Sequence, residues 1–202
     1  MIVVGITGGF GSGKTEVTRV FKTKGAGVFD ADAAARKAVR RGSPVYRAIV
    51  KIFGKVYLKK NQELDRKKLA ERVFRNPKDL HKLDVLIHPG VIFEMFKQIR
   101  RNRRRKGIFV MDVPLLFESR MEGLVDATVV VSARREIVLE RAKKKGMSRS
   151  LALGILASQR PLGKKERLAD YVIRNNGSLK ELRVQVVELI EKIKKEYKQE
   201  NR

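Results

Sequence analysis

The stretch that decides the fold lies near the N terminus and reads Gly8-Gly9-Phe10-Gly11-Ser12-Gly13-Lys14-Thr15. It matches the phosphate-binding pattern G-x-x-x-x-G-K-[ST] at every fixed position. An apolar run from Ile2 to Ile6 precedes it, as expected of a buried strand. After it, Val17, Val20 and Phe21 recur with the spacing of one helix face. This order of strand, glycine-rich loop and helix predicts a site for polyphosphate, and we call residues 8–15 the P-loop.

The side chains of the P-loop predict how a nucleoside triphosphate is held. Lys14 can reach the β and γ phosphates, and the Thr15 hydroxyl can ligate Mg²⁺. Backbone N–H groups and the positive end of the following helix supply the rest of the attraction. The predicted ATP-binding residues of this segment are Gly8, Gly9, Gly11, Ser12, Gly13, Lys14, Thr15 and Glu16.

Four further short apolar runs indicate strands, at residues 27–29, 108–112, 127–131 and 171–173. Helical segments separate them, an alternation that is typical of a parallel sheet with helices on both faces. We therefore predict an α/β fold, the three-layer P-loop kinase architecture with a five-stranded parallel sheet, a helical insertion and a lid. In such folds ligands bind at the carboxyl ends of the strands.

The domain organisation follows from where strands are missing. Residues 33–105 show helical patterns, with breaks predicted at residues 42–44, Gly54, residues 76–77 and residues 88–89. We predict a P-loop core of residues 1–32 and 106–202 and a helical insertion of residues 33–105, to which the family resemblance described below assigns substrate binding. A closing amphipathic helix is predicted over residues 178–197.

A basic helical stretch, interrupted at Gly146, runs from Arg134 to Gln159. Small P-loop kinases carry a mobile lid at this place in the chain, so a lid is predicted at residues 134–165. Arg141 and Arg149 are the predicted lid arginines, which would neutralise charge in the transition state. The lysines of this region are predicted to form a solvated face.

Aspartates end two of the predicted strands. Asp112 follows the third apolar run, where a P-loop protein needs a carboxylate for Mg²⁺ or its water shell; the alternative is a cap on the next turn. Mg²⁺ is the predicted metal, with Thr15 and Asp112 as ligands. A kinase acting on a hydroxyl also needs a carboxylate to orient that hydroxyl and accept its proton. We predict this role for Asp32 and a structural cap for Asp30, with exchange of the two roles as the alternative.

Composition narrows the class of protein. The chain has 202 residues and 47 Lys and Arg against 22 Asp and Glu, a formal net charge of +25. Apolar residues make up 43%, which argues against a disordered basic tail protein. The absence of cysteine excludes thiol nucleophiles and disulfides. No apolar run approaches the roughly 20 residues of a membrane span. We expect a cytoplasmic protein without a membrane partner, monomeric or a small homo-oligomer.

Residues 100–106 carry six cations in seven positions. They could form a nucleic-acid surface, or they could end a helix whose dipole favours cations at that end. No aromatic residue interrupts the run to stack on bases, so we prefer the helix end and expect no nucleic-acid partner.

The chain resembles the dephospho-CoA kinase family over nearly its whole length. Beyond the P-loop, the residues that carry the resemblance are Asp30-Ala31-Asp32, Ile87-His88-Pro89, Asp112-Val113-Pro114-Leu115-Leu116-Phe117-Glu118, Gln159 and Ala169-Asp170-Tyr171-Val172-Ile173. A P-loop alone would predict nucleotide binding only, and the order and spacing of the other segments select the family. Residues 160–165 depart from it, because relatives tend to carry more acids there.

The resemblance implies transfer of the ATP γ-phosphate to the ribose 3′-hydroxyl of dephospho-CoA, the last step of coenzyme A synthesis, with Mg²⁺. It implies that Asp32 is the base and that Asn175 and Asn176 lie near the adenine of ATP. The implied substrate-binding residues are Asp32, Arg36, His88, Leu115, Leu116 and Phe117. From the residues alone, His88 stays open between a structural and a substrate-lining role.

Two rival functions remain at this stage. One is a kinase of the same fold that acts on a nucleoside or shikimate-like hydroxyl. The other is an ATP-regulated RNA-binding protein, in which the basic surface is the functional feature.

Overall fold

The computed structural model describes residues 1–200. The strands are β1 (Ile2–Gly8), β2 (Gly27–Asp30), β3 (Ile108–Asp112), β4 (Ala127–Ser132) and β5 (Tyr171–Arg174). The helices are α1 (Lys14–Thr23), α2 (Ala31–Ala38), α3 (Pro44–Phe53), α4 (Arg66–Val73), α5 (Pro77–Asn102), α6 (Arg135–Lys144), α7 (Arg149–Ser158), α8 (Leu162–Leu168) and α9 (Leu179–Glu200). Within residues 1–200, no helix combines the length and apolar character that crossing a membrane requires.

The chain divides into two compact units, and the first contains residues 1–30 together with those from residue 99 onward. Its centre is a five-stranded sheet in the order β2-β3-β1-β4-β5, and every strand pair is parallel. The predicted five-stranded parallel sheet is thus confirmed. Every residue of β1 and β3 is buried, as expected where both faces of a sheet are covered.

The strand register aligns the groups that the sequence singled out. Ile6 of β1 pairs with Asp112 of β3, and Asp30 of β2 pairs with the same Asp112. On the other side of β1, Gly8 pairs with Val131 of β4. The P-loop, Asp112 and Asp30 therefore leave the sheet at one edge, the carboxyl ends of the strands.

The main core of the first unit packs one face of this sheet against α1 and α9. Val4 and Val129 from the sheet, Phe21 from α1 and Val186 from α9 all belong to this buried cluster. The apolar positions recur at helical spacing along α1, which explains why that face turns inward. The core fixes α1, and with it the loop that leads into α1.

The second unit comprises residues 31–98 and has a core of its own. The buried members of that core are Val39, Ile49, Leu64, Leu69 and Val73. Helix α3 starts at Pro44 after Ser43, whose hydroxyl accepts a hydrogen bond of 2.9 Å from Tyr46 N. Helix α5 begins in this unit, and its residues from Ile99 onward belong to the first.

The predicted helix break at residues 88–89 is wrong, because α5 continues through Pro89. A proline inside a helix removes one backbone hydrogen bond at a cost of about 3 kcal/mol. The many remaining bonds of this 26-residue helix, and the burial of Val91 and Met95 after the proline, outweigh that loss. Helix α8 is a further difference, since no helix was predicted over these residues.

We predict that Phe21→Ala destabilises the protein strongly, because Phe21 is fully buried between α1 and the sheet. The expected loss is about 3–5 kcal/mol in the free energy of unfolding, measured by urea denaturation. The matched control is Phe93→Ala, at a side chain that is 70% exposed, and its expected change is within about 0.5 kcal/mol. Equal losses in the two variants would contradict this account of the core.

Candidate active site

The P-loop owes its shape to glycines at positions that other residues cannot occupy. Gly11 and Gly13 have φ values of 70° and 92°, in the left-handed region. A Cβ on Gly13 would lie 2.1 Å from Asn175 Nδ2, and one on Gly8 would lie 2.4 Å from the Val131 carbonyl oxygen. The loop closes through a hydrogen bond of 3.1 Å from Ser12 N to Gly9 O, and α1 begins at the next residue after Gly13.

The outer side of the loop is held by Arg141 and Asn175. Asn175 donates from Nδ2 to Ser12 O at 2.8 Å. Arg141 donates to Gly11 O at 3.3 Å and Ser12 O at 3.4 Å, and to the Asn175 side-chain oxygen at 3.3 Å. We call this pair the P-loop bracket. The Gly11 and Ser12 carbonyl groups accept hydrogen bonds from this bracket, which fixes the orientation of that part of the loop.

The Ser12 hydroxyl is a buried polar group at the same place. Ser12 is 1% exposed, and within residues 1–200 nothing forms a hydrogen bond with its Oγ. Buried hydroxyls are normally satisfied, so this unpaired group is consistent with the phosphate-binding role that the P-loop pattern predicts.

Asp112 connects the end of β3 to the P-loop helix. Its side chain forms an ion pair with Lys14 Nζ and accepts a hydrogen bond of 2.8 Å from Thr18 Oγ1. Asp112 is buried, so both partners are needed to offset the loss of hydration of the carboxylate. Lys14 is the residue that the P-loop pattern assigns to phosphates. The structure therefore brings the predicted phosphate ligand and the predicted metal ligand into direct contact.

Two oxygen donors at the carboxyl ends of the strands suit Mg²⁺. Within residues 1–200, no three His, Asp or Glu side chains cluster as a metal site. Asp112 offers a carboxylate and the exposed Thr15 offers a hydroxyl, which are oxygen donors of the kind that Mg²⁺ prefers. Magnesium in kinases is commonly held by few protein ligands together with substrate phosphates and water.

A second polar cluster lies next to the P-loop, and the sequence did not predict it. Lys165 of α8 is fully buried, forms an ion pair of 2.7 Å with Glu118 Oε1 and donates to Pro114 O at 3.3 Å. The prediction that the lysines of this region form a solvated face is wrong for Lys165. The local sequence carried no signal for this burial, because both partners of Lys165 lie about fifty residues earlier in the chain.

The predicted substrate-wall residues differ in their burial. Leu115 is half-buried, whereas Leu116 is 0% and Phe117 is 1% exposed. A Cβ on Gly5 of β1 would lie 2.9 Å from Leu116 Cδ2, so Leu116 packs against the central strand. Of the three, Leu115 alone has appreciable surface for a ligand.

Other predicted residues of the first unit make these contacts. Glu16 forms an ion pair with Arg19 one turn along α1. Asn176 Oδ1 accepts a hydrogen bond of 2.8 Å from Arg134 N. Arg149 is exposed at the first position of α7. Among the predicted ATP and lid residues, the structure thus brings the P-loop, Arg141 and Asn175 together.

Asp32, Arg36 and His88 belong to the second unit. Asp32 and Arg36 are exposed on α2, Asp32 in its first turn. His88 Nε2 lies 3.6 Å from Asp84 Oδ1, one turn earlier on α5. Burial raises the pKa of the Asp84 carboxyl, and the charges of His88 and His81 oppose that rise.

The cations of residues 100–106 end α5, as the sequence predicted for a helix terminus. Helix α5 stops at Asn102, and Arg100, Arg101 and residues 103–106 are exposed. Cations at this end of a helix interact favourably with its dipole.

Comparison with known proteins finds one matching family profile and several similar sequences. The sequence profile of the dephospho-CoA kinase family matches residues 2–181. A dephospho-CoA kinase of Bacillus cereus is 40% identical over 188 residues, which cover 92% of this chain and 94% of that protein.

Solved structures agree with the sequence match. TT1252 from Thermus thermophilus superposes with a TM-score of 0.76 at 32% identity, covering 94% of this chain and 97% of that one. A dephospho-CoA kinase from Campylobacter jejuni superposes with a TM-score of 0.70 at 27% identity, covering 96% and 98%. With a family profile matching over residues 2–181 and a relative 40% identical over nearly its full length, this chain belongs to the dephospho-CoA kinase family.

Proposed function

We propose that this chain transfers the γ-phosphate of ATP to the ribose 3′-hydroxyl of dephospho-CoA, using the residues assigned below. The observation that carries the proposal is the contact of Lys14 with Asp112 at the carboxyl ends of β1 and β3. It joins a P-loop cation to a carboxylate, in a chain that belongs to the dephospho-CoA kinase family.

On the donor side, Lys14 binds the β and γ phosphates and Asp112 serves the metal. Mg²⁺, when bound, would neutralise phosphate charge, and Thr15 and Asp112 are the side chains that would hold it. The Lys14 ammonium and the Asp112 carboxylate are now each other's partner, and a metal–nucleotide complex offers a better one to both. Thr18 keeps the carboxylate in place through this exchange, because its hydroxyl bonds the second oxygen, Oδ2.

On the acceptor side, Asp32 orients the 3′-hydroxyl and accepts its proton. The position of Asp32, exposed in the first turn of α2 and two residues after the end of β2, supports this role. Arg36, one turn later on the same helix, is proposed to bind an anionic group of dephospho-CoA. His88 and Leu115 are proposed to line the substrate, with Leu116 and Phe117 supporting that wall from within the core.

The lid arginines are proposed to act at different places. Arg149, exposed at the start of α7, is proposed to reach the transferring phosphoryl group when the lid closes. Arg141 is proposed to contact the nucleotide next to the P-loop. Its present hydrogen bonds to the P-loop and Asn175 support a contact with the nucleotide close to that loop. Asn175 and Asn176 are proposed to lie near the adenine. The cytoplasm and a monomer or small homo-oligomer remain the expected location and state.

A turnover assay with alternative acceptors tests the proposed function. Purified protein with ATP and Mg²⁺ is expected to phosphorylate dephospho-CoA to coenzyme A, detected by mass. The same assay with a nucleoside or shikimate should give rates lower by at least about 10²-fold, because their surfaces cannot fill a site built for a larger anion. Phosphorylation of those small acceptors without coenzyme A formation would contradict the proposal.

Asp32→Asn is expected to lower kcat by about 10²-fold or more, because asparagine cannot take the hydroxyl proton. The affinity for ATP, measured by calorimetry, should stay within about threefold of wild type. The matched control is Asp30→Asn, a like change two residues earlier, for which near wild-type kcat is expected. A larger loss for Asp30→Asn than for Asp32→Asn would exchange the two roles.

A further inference from the structure

Lys165 is the one charged residue among the fully buried large side chains of the described chain, at 0% exposure. An ammonium group removed from water is costly unless it is paired and hydrogen-bonded. Lys165 meets this need with the Glu118 carboxylate at 2.7 Å and the Pro114 carbonyl at 3.3 Å. Glu118 is itself mostly buried, with an 18% exposed side chain, so the pair is held in low dielectric.

Both partners of Lys165 have a second bond to another segment. The Pro114 carbonyl also accepts from Thr7 Oγ1 at 2.7 Å, and Thr7 is fully buried at the end of β1. Glu118 Oε1 also accepts from Arg160 N at 2.8 Å. We call these five residues, Thr7, Pro114, Glu118, Arg160 and Lys165, the Lys165 junction.

The Lys165 junction connects segments whose relative positions matter for the proposed reaction. Pro114 lies two residues after Asp112, so the carbonyl that Lys165 holds belongs to the loop that directly follows the predicted metal ligand. Arg160 lies two residues after α7, the last helix that lies wholly within the predicted lid. Next to it, Gln159 accepts from Phe10 N of the P-loop at 2.9 Å. The P-loop, the loop after Asp112 and the C-terminal end of the lid are thereby tied to each other.

We propose that Lys165 is a positioning residue for phosphoryl transfer. Its ammonium fixes the loop after Asp112 relative to the end of β1, and through Glu118 it anchors the C-terminal end of the lid. Lid motion is then confined to the part of the chain before Gln159, so that Arg149 returns to one position at each closure. The inference rests on the proposed function, because it concerns the same reaction.

Stability alone is a poor explanation for this pair. Replacing a buried ion pair by apolar side chains of similar size is often neutral or stabilising, whereas removing one partner leaves an uncompensated charge. A double replacement therefore separates stability from positioning.

The experiment compares Lys165→Met, the double variant Lys165→Met with Glu118→Leu, and wild type. The matched control is Lys164→Met, the same change at the exposed neighbouring position of α8. Three quantities are measured in each: kcat with ATP and dephospho-CoA, the Kd of ATP, and amide hydrogen exchange in residues 113–118 and 159–165. Thermal unfolding midpoints accompany them.

Lys165→Met is expected to lower kcat by about tenfold or more with the Kd of ATP within about threefold, because misplacement affects the reacting geometry more than ground-state binding. Exchange should accelerate in residues 113–118 and 159–165 and stay unchanged in α9. The double variant should regain the unfolding midpoint without regaining kcat or the slow exchange. Lys164→Met should match wild type throughout.

Either of two results would overturn the inference: Lys165→Met matching Lys164→Met in kcat and exchange, or a double variant that regains kcat together with its midpoint. If Lys165→Met does not fold, two other variants replace it. The double variant is judged by the same criteria, and so is Thr7→Val, which removes the other donor to the Pro114 carbonyl. Wild type that fails to phosphorylate dephospho-CoA would defeat the proposed function, while the exchange data would still decide whether Lys165 holds these segments.

Discussion

The buried carboxylate of Asp112 is the group on which the rest of the site depends. The parallel register sets it beside Ile6, where β1 turns into the P-loop, and beside Asp30 at the end of β2. A carboxylate that has lost its water needs strong partners, and it finds them in Lys14 and Thr18. Both partners lie on α1, so one side chain ties the strand edge, the P-loop and its helix together.

Support for the P-loop comes from residues far away in sequence. The bracket of Arg141 and Asn175 holds its carbonyl groups, and Gln159 holds Phe10 N. The glycines make this possible, since a Cβ on Gly13 would occupy the place of the Asn175 amide. A rigid loop with its N–H groups oriented in advance loses little entropy when it binds a nucleotide, which favours both affinity and rate.

Local patterns in the sequence were sufficient for the strands, the P-loop and the family. Five apolar runs and one glycine-rich turn carry the information for the strands and the P-loop, and short segments such as Asp30-Ala31-Asp32 and residues 112–118 carry it for the family. The burial of Lys165 could not be read in the same way, because its partners Glu118 and Pro114 lie about fifty residues earlier in the chain. The same holds for Arg141, whose bonds reach back to Gly11 and Ser12. At Pro89 a local rule failed, since the packing of α5 outweighs one missing hydrogen bond.

The formal net charge of +25 explains little of the proposed chemistry. The proposed function assigns only Lys14, Arg36 and the two proposed lid arginines to anionic substrates, whose capture a positive potential would speed. Most cations, residues 100–106 among them, lie exposed on the surface. The chemistry depends instead on a few glycines, aspartates and threonines at the strand edge.

Calorimetry of Asp112→Asn tests most directly the proposal that Asp112 would bind the metal of the nucleotide complex and release Lys14 to the phosphates. ATP binding is measured with Mg²⁺ and then with a chelator in place of Mg²⁺. The account predicts that Asp112→Asn weakens binding with Mg²⁺ by about tenfold or more, since a metal ligand is lost. Without Mg²⁺, binding should be equal to wild type or tighter, because Lys14 no longer has to leave a carboxylate. Equal weakening under both conditions would contradict the claim.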